Sequence, residues 1–225
     1  RTQLAIPLSQ QQFGIYDLEQ RRELIRFTNA VVPKLLSISP DKSLVAMGTF
    51  HGWGLALWDT RTGKQLKDFR DGNTSAYFSP NGRFLVSAGS SAYRVHETTD
   101  WSLLHQIPTD SGTDLPNLAA FTSDSRLLAV VKQLNRVELF DTATWNQIAV
   151  LLAPDAQLVN WMTFNPGNQS LAVATRGDAV HLWDLAKLNE RLVPLGLDWN
   201  STAPDRMAAF STAGKSPGVG GWNAQ

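Results

Sequence analysis

Residues 177–185, GDAVHLWDL, bring three groups with chemical potential close together: Asp178, His181 and Asp184, set around Trp183. A histidine beside carboxylates can act in general acid–base catalysis if the groups converge and one orients another. The other reading is structural, with each group belonging to a feature that recurs along the chain. The remaining histidines, His51, His96 and His105, are scattered, and no two of the four stand at zinc-ligand spacing. Cysteine is absent, which removes disulfides and thiolate metal sites and fits a reducing cytosol. No phosphate-binding Gly-rich loop, dinucleotide fingerprint or serine-nucleophile motif is present. The expectation is a chain with no cofactor, no metal and no catalytic residues.

The elements around these groups decide between the two readings. Five segments align: FGIYDL (13–18), LALWDT (55–60), YRVHET (93–98), VELFDT (137–142) and VHLWDL (180–185). Their closing acids are Asp17, Asp59, Glu97, Asp141 and Asp184, spaced by 42, 38, 44 and 43 residues. The first column is apolar (Phe13, Leu55, Tyr93, Val137, Val180), and so is the third (Ile15, Leu57, Val95, Leu139, Leu182). The fourth holds a ring: Tyr16, Trp58, His96, Phe140 and Trp183. The second accepts anything: Gly14, Ala56, Arg94, Glu138 and His181. This is a strand buried on one face and partly on the other. His181 thus sits in a permissive column, and Asp184 in a column of strand-ending acids that suit Asx-type turns.

Three further elements share the period. Apolar runs at Leu4-Ala5-Ile6, Leu44-Val45-Ala46, Phe84-Leu85-Val86, Leu128-Ala129-Val130 and Leu171-Ala172-Val173 read as buried strands nine to eleven residues before the first column. Ile38-Ser39-Pro40-Asp41, Phe78-Ser79-Pro80-Asn81, Phe121-Thr122-Ser123-Asp124 and Phe164-Asn165-Pro166-Gly167 read as strand ends entering turns. A last strand follows the acids at Glu23-Leu24-Ile25, Gln65-Leu66-Lys67, Ser102-Leu103-Leu104 and Gln147-Ile148-Ala149. Four short strands every 38–44 residues make a four-stranded blade that needs neighbours on both faces.

The chain therefore resembles the WD-repeat family of β-propellers. Trp58-Asp59 and Trp183-Asp184 carry the resemblance, with Tyr16-Asp17 and Phe140-Asp141 as degenerate forms and the Ser-Pro turns at 39–41 and 79–81 in support. The family's Gly-His at the first strand is missing. The implied fold is all-β: a WD40-type propeller region over 1–193, with a partial N-terminal blade at 1–28 and blades at about 32–69, 74–107, 116–152 and 158–193. Leu185, Leu188 and Leu192 form one stripe of a short helix at 184–192. Residues 194–225 are expected to be a loose tail, and LGLDW (195–199) resembles the end of bacterial WD-repeat arrays, some fused to membrane-anchored serine/threonine kinases. The chain reads as the C-terminal part of a longer propeller; a five-bladed closure, with MAAFST (207–212) completing the first blade, is the alternative. Blades left uncovered expose edges and an apolar face, which invites association.

The family's function is docking, and loops carry it. By resemblance, the turns between second and third strands share a face with the inter-blade loops. That face carries Phe50, His51, Trp53, Arg70, Asp71, Asn73, Asn135, Arg176 and Asp178, with Trp53 as the leading anchor. The expected partner is a protein or peptide. With a formal net charge of +0 there is no basic footprint for nucleic acid, and no apolar run long enough to cross a bilayer. Arg1 is not followed by a signal-peptide pattern, so the expected location is cytoplasmic, with the exported part of a membrane-anchored protein as the alternative. A kinase-linked sensor, and a ligand-binding or hydrolytic propeller using its central channel, are the competing functions.

Overall fold

The computed structural model describes residues 2–28, 32–49, 54–70, 72, 74–109, 118–154 and 156–195. The chain divides into two units, Arg1–Trp183 and Asp184–Gln225.

The first unit is built of antiparallel sheets whose strands follow chain order. The first sheet has β1 (Gln3–Ser9), β2 (Gln12–Asp17) and β3 (Arg22–Thr28). The second has β4 (Pro33–Ile38), β5 (Leu44–Thr49), β6 (Leu55–Asp59) and β7 (Gln65–Phe69). The third has β8 (Thr74–Phe78), β9 (Phe84–Gly89), β10 (Ala92–Glu97) and β11 (Leu103–Pro108). The fourth has β12 (Ala119–Phe121), β13 (Leu127–Gln133), β14 (Arg136–Asp141) and β15 (Gln147–Leu152). The fifth has β16 (Val159–Phe164), β17 (Ser170–Thr175) and β18 (Val180–Asp184). The fold is all-β and blade-based, with each repeat forming one meander.

Register shows how the repeat packs. Trp58 stands opposite Val45 and Ala56 opposite Met47. Phe140 stands opposite Leu128 and Glu138 opposite Val130. In the third sheet His96 faces Leu85, so aligning Phe84 with Leu128 by spacing from the first column is one residue out of register. The β13–β14 pair carries an extra residue as a bulge between Val131 and Gln133 that the β9–β10 pair lacks, and a one-residue slip moves a strand's side chains to the other face. Phe13, Ile15 and Phe27 share a buried cluster with Val45, Met47, Ala56 and Trp58 of the next sheet. The Phe13 and Phe27 rings stack at 4.5 Å, each edge-on to Trp58 at 5.9 and 5.8 Å. Tyr93 and Val95 likewise meet Ala119, Leu128, Val130 and Phe140. At Gly48 on β5 the second and third sheets come so close that a Cβ would run into the Thr74 carbonyl.

Two tight turns recur. Ser39, Ser79 and Thr122 each donate a hydroxyl to the side chain two residues on (Asp41, Asn81, Asp124) and accept the backbone N–H five residues on, at 2.9 Å. The fourth residue of each such turn is left-handed: Lys42, Gly82, Ser125 and, after Asn165, Asn168. So is the fifth residue counted from each of the first four closing acids: Arg21, Gly63, Trp101 and Trp145. Side chains tie the two turn types together, with Thr60 donating to the Lys42 carbonyl, Thr98 to Gly82 and Thr142 to Ser125.

In the second unit, Asp184 caps helix α1 (Leu185–Leu192), accepting the Lys187 N–H at 2.9 Å. Leu185 is buried, Leu188 and Leu192 are half-buried, and Lys187, Glu190 and Arg191 are exposed, as the apolar stripe requires. Most of the segment 194–225, including 207–212, lies outside the described residues.

Candidate functional site

Four of the five closing acids are committed to backbone, and Glu97 accepts instead from the Arg83 guanidinium at 3.1 Å. Asp17 Oδ1 accepts from the Glu19 and Gln20 N–H groups, both at 2.9 Å. Asp59 Oδ1 takes the Arg61 and Thr62 N–H groups at 2.9 and 2.6 Å, plus the Thr62 hydroxyl. Asp141 Oδ1 takes the Ala143 and Thr144 N–H groups at 2.9 Å. Hydrogen bonds of this kind favour the charged form. The Asp59 carboxyl is held below its ordinary value, chiefly by the Thr62 N–H. Asp184 is likewise lowered by the Lys187 N–H. Asp17, Asp59 and Asp141 are therefore turn caps and Asp184 a helix cap.

The ring column is packed rather than displayed. Trp58, His96 and Phe140 are buried, while Tyr16 and Trp183 are half-buried. His96 lies against Phe69 with ring centroids 4.7 Å apart. His105 stacks on Trp145 at 5.7 Å, and its burial lowers its pKa. Asp178 adopts a left-handed backbone (φ 55°) in an exposed turn. Among the described residues, no group of three or more His, Cys, Asp or Glu is placed to hold a metal ion. No described helix is long and apolar enough to cross a membrane.

The turns between second and third strands form one surface with the inter-blade loops, because backbone bonds join them. Gly54 N–H donates to the Gly72 carbonyl at 2.8 Å. Thr109 donates its N–H to Ser91 and its hydroxyl to Ser90. The Val159 N–H reaches the Leu134 carbonyl, and the Arg176 N–H reaches Leu158. Asn135 is the firmest link: its carbonyl accepts from the Ala153 N–H at 2.9 Å, and its side-chain amide donates to the Ala153 carbonyl at 3.0 Å. Asn135 therefore braces this face. Arg70 projects from it, its side chain 91% exposed and its guanidinium 3.9 Å from Asp68. Arg176 and Asp178 are exposed in the 176–179 turn. Phe50, His51, Trp53, Asp71 and Asn73 lie outside the described residues. Beneath the face, Tyr93 is fully buried and donates to the Val131 carbonyl at 2.7 Å, and Lys132 donates to the Pro108 carbonyl. Sequence reasoning missed these two anchors, since a tyrosine in an apolar column and a lysine at a strand end carry no turn signature.

No family model matches the sequence. The chain is 26% identical over 137 residues to Pre-mRNA-processing factor 19 homolog 2 of Arabidopsis thaliana, a match covering 59% of this chain and 26% of that protein. Its fold is similar to the solved Kuenenia stuttgartiensis hydrazine synthase, with a TM-score of 0.64 and 16% identity over 73% of this chain and 49% of that one. The matches thus span about a quarter of the curated relative and about half of the solved structure. Together with the five-sheet meander and its repeated Trp-Asp columns, these likenesses point to a β-propeller-type fold of WD-like repeats.

Proposed function

We propose that the chain is a non-catalytic protein-interaction scaffold whose docking surface is the face of second-to-third-strand turns and inter-blade loops. The observation that carries this reading is the asymmetry between the two turn faces. On one, the Ser/Thr and Asp side chains are consumed by the turns themselves. On the other, backbone bonds brace the loops and leave exposed Arg70, Arg176 and Asp178 pointing outward. A braced backbone with outward side chains suits recognition of a protein or peptide, since little order is lost on binding. Trp53, between two glycines, is the proposed apolar anchor, with Phe50, His51, Asp71 and Asn73 as further proposed contacts. The tail's likeness to bacterial WD-repeat arrays supports a place in a longer repeat protein.

The test compares Ala substitutions on the two faces. Trp53→Ala with Arg70→Ala and Arg176→Ala should abolish capture of the partners that wild type retains, without changing cooperative unfolding. Arg61→Ala with Lys64→Ala, on the opposite face, should leave capture intact. Equal retention by both variants would remove the docking face from this location.

A further inference from the structure

Among the described sheets, the first four end on the outer strands β3, β7, β11 and β15. The repeat gives each of these strands two matching positions, one opposite the second column and one two residues further on. They hold Arg26 and Thr28 in the first sheet, and Asp68 and Arg70 in the second. They hold Gln106 and Pro108 in the third, and Val150 and Leu152 in the fourth. Backbone direction at these positions follows from the hydrogen bonds at the strand ends. The Ala153 N–H donates to the Asn135 carbonyl, and the Thr109 N–H to that of Ser91. In an antiparallel ladder, bonded pairs alternate with unbonded ones. Asn135–Ala153, Val137–Leu151 and Leu139–Ala149 are therefore bonded pairs, and Val150 and Leu152 turn their N–H and C=O groups away from β14. Gln106 and Pro108 hold the same outward places on β11.

An open strand edge invites pairing, and charge or proline at its outward positions discourages it. Three of these four edges carry such a guard. Arg26 is ion-paired with Glu23 on β3, and Arg70 lies 3.9 Å from Asp68 at the end of β7. Pro108 removes an outward N–H from β11. β15 carries no guard: Gln147–Leu152 contains neither charge nor proline. Val150 is 41% exposed and Leu152 56%. The Asn135 amide, donating to the Ala153 carbonyl at 3.0 Å, keeps this edge extended to its end. The edge is open with both neighbouring sheets in place. Val130 and Phe140 pack on Tyr93 and Val95 of the third sheet, and the Ser123 N–H bonds Asn168 of the fifth. We infer that β15 is a strand-addition site, where an extended, uncharged apolar segment of another protein pairs with Val150 and Leu152 and becomes the fifth strand of the fourth sheet.

The edge itself sets the chemistry of its occupant. The outward N–H and C=O groups of Val150 and Leu152 are matched in spacing by another extended backbone. On one face the added strand lies beside Val150 and Leu152, and on the other beside Ala149 and the buried Leu151. Apolar, β-branched residues suit both faces, and β15 offers no charge to a charged one. Main-chain bonds supply the affinity and alternate side chains the preference. The site is separate from the turn face proposed above, so Trp53→Ala leaves it unchanged, and failure of either reading leaves the other standing.

A displayed library of random peptides, selected on the full 225-residue chain and depleted on its Leu152→Pro variant, provides the test. Leu152→Pro copies the guard of β11. The Leu152 N–H makes no bond to β14, so cooperative unfolding should be unchanged. Peptides that survive depletion should be rich in Val, Ile and Leu and poor in charge. As synthetic probes, they should bind wild type at least about tenfold more tightly than either Leu152→Pro or Val150→Lys. N-methylation of one alternate set of peptide amides should abolish binding, and methylation of the other set should not. Bound peptide should slow hydrogen exchange at the Val150 and Leu152 amides. Val150→Lys takes over the depletion step should Leu152→Pro fail to fold. A library from which no peptide survives depletion would overturn the inference. So would surviving peptides that tolerate methylation of both sets, or that leave exchange at Val150 and Leu152 unchanged.

Discussion

β14 and β18 are the same strand in two settings. Each has the apolar first and third columns, a permissive second, a ring and an acid. In β14 every column from Val137 to Phe140 is buried, including Glu138, whose carboxylate pairs with Arg136 at 2.7 Å. In β18 exposure alternates, with Val180 and Leu182 out and His181 and Trp183 half-covered. A blade strand's burial is therefore set by its neighbours as much as by its own residues. A lone sheet covers neither of its sides, and each side is buried only by the sheet that stacks against it.

The largest effect that would break this comparison is on stability. Leu139→Ala should cost about 2–5 kcal/mol, because the void it leaves is enclosed on both faces. Leu182→Ala should stay within about 0.5 kcal/mol. Urea unfolding of the two variants measures the difference, and equal costs would mean that Leu182 is as enclosed as Leu139. Next in size is crowding between sheets. Gly48→Ala pushes a methyl into the Thr74 carbonyl and should cost about 1–3 kcal/mol, whereas Ala172→Val on the open side of β17 should be neutral within about 0.5 kcal/mol. Thermal melts of that pair sharpen the contrast between covered and open faces.

Smaller effects come from the left-handed turn residues. Lys42 and Gly82 occupy equivalent positions with φ of 65° and 72°. Lys42→Gly should gain, and Gly82→Ala lose, about 0.5–1 kcal/mol, read as opposite shifts in unfolding midpoint. The smallest concerns pH at the first sheet's open face. The Arg26 guanidinium, with Tyr16, holds Glu23 down to about 2 from an ordinary 4.5. Its folded value is below its unfolded one, so the stability it contributes is complete above about pH 4.5 and is lost as pH falls toward 2. Glu23→Gln should flatten the acid side of the stability profile in that window.

Much of the fold was legible because a repeat states its columns several times. Five copies of an apolar–any–apolar–ring–acid string separate required residues from tolerated ones, which one copy, such as GDAVHLWDL, does not. His181 and Asp184 look like a pair for proton transfer until Glu138 and Asp141 are placed beside them. Register was less legible: Phe84 and Leu85 are both apolar, and only strand pairing shows that Leu85 faces the ring column. The hydroxyl bridges from Thr60, Thr98 and Thr142 were hidden for another reason. Each joins two turns 16 to 18 residues apart in the chain, and a threonine after an acid signals only its own turn.

The sequence by itself determined the strand columns, the turn chemistry at each acid and the short amphipathic helix, because these depend on periodicities of two, of about forty, and of 3.6 residues. Tertiary structure alone decided which copies of a column are buried. Val137 and Val180 are the same residue in the same column, one buried and one open to solvent, and burial is a property of the surroundings rather than of the string.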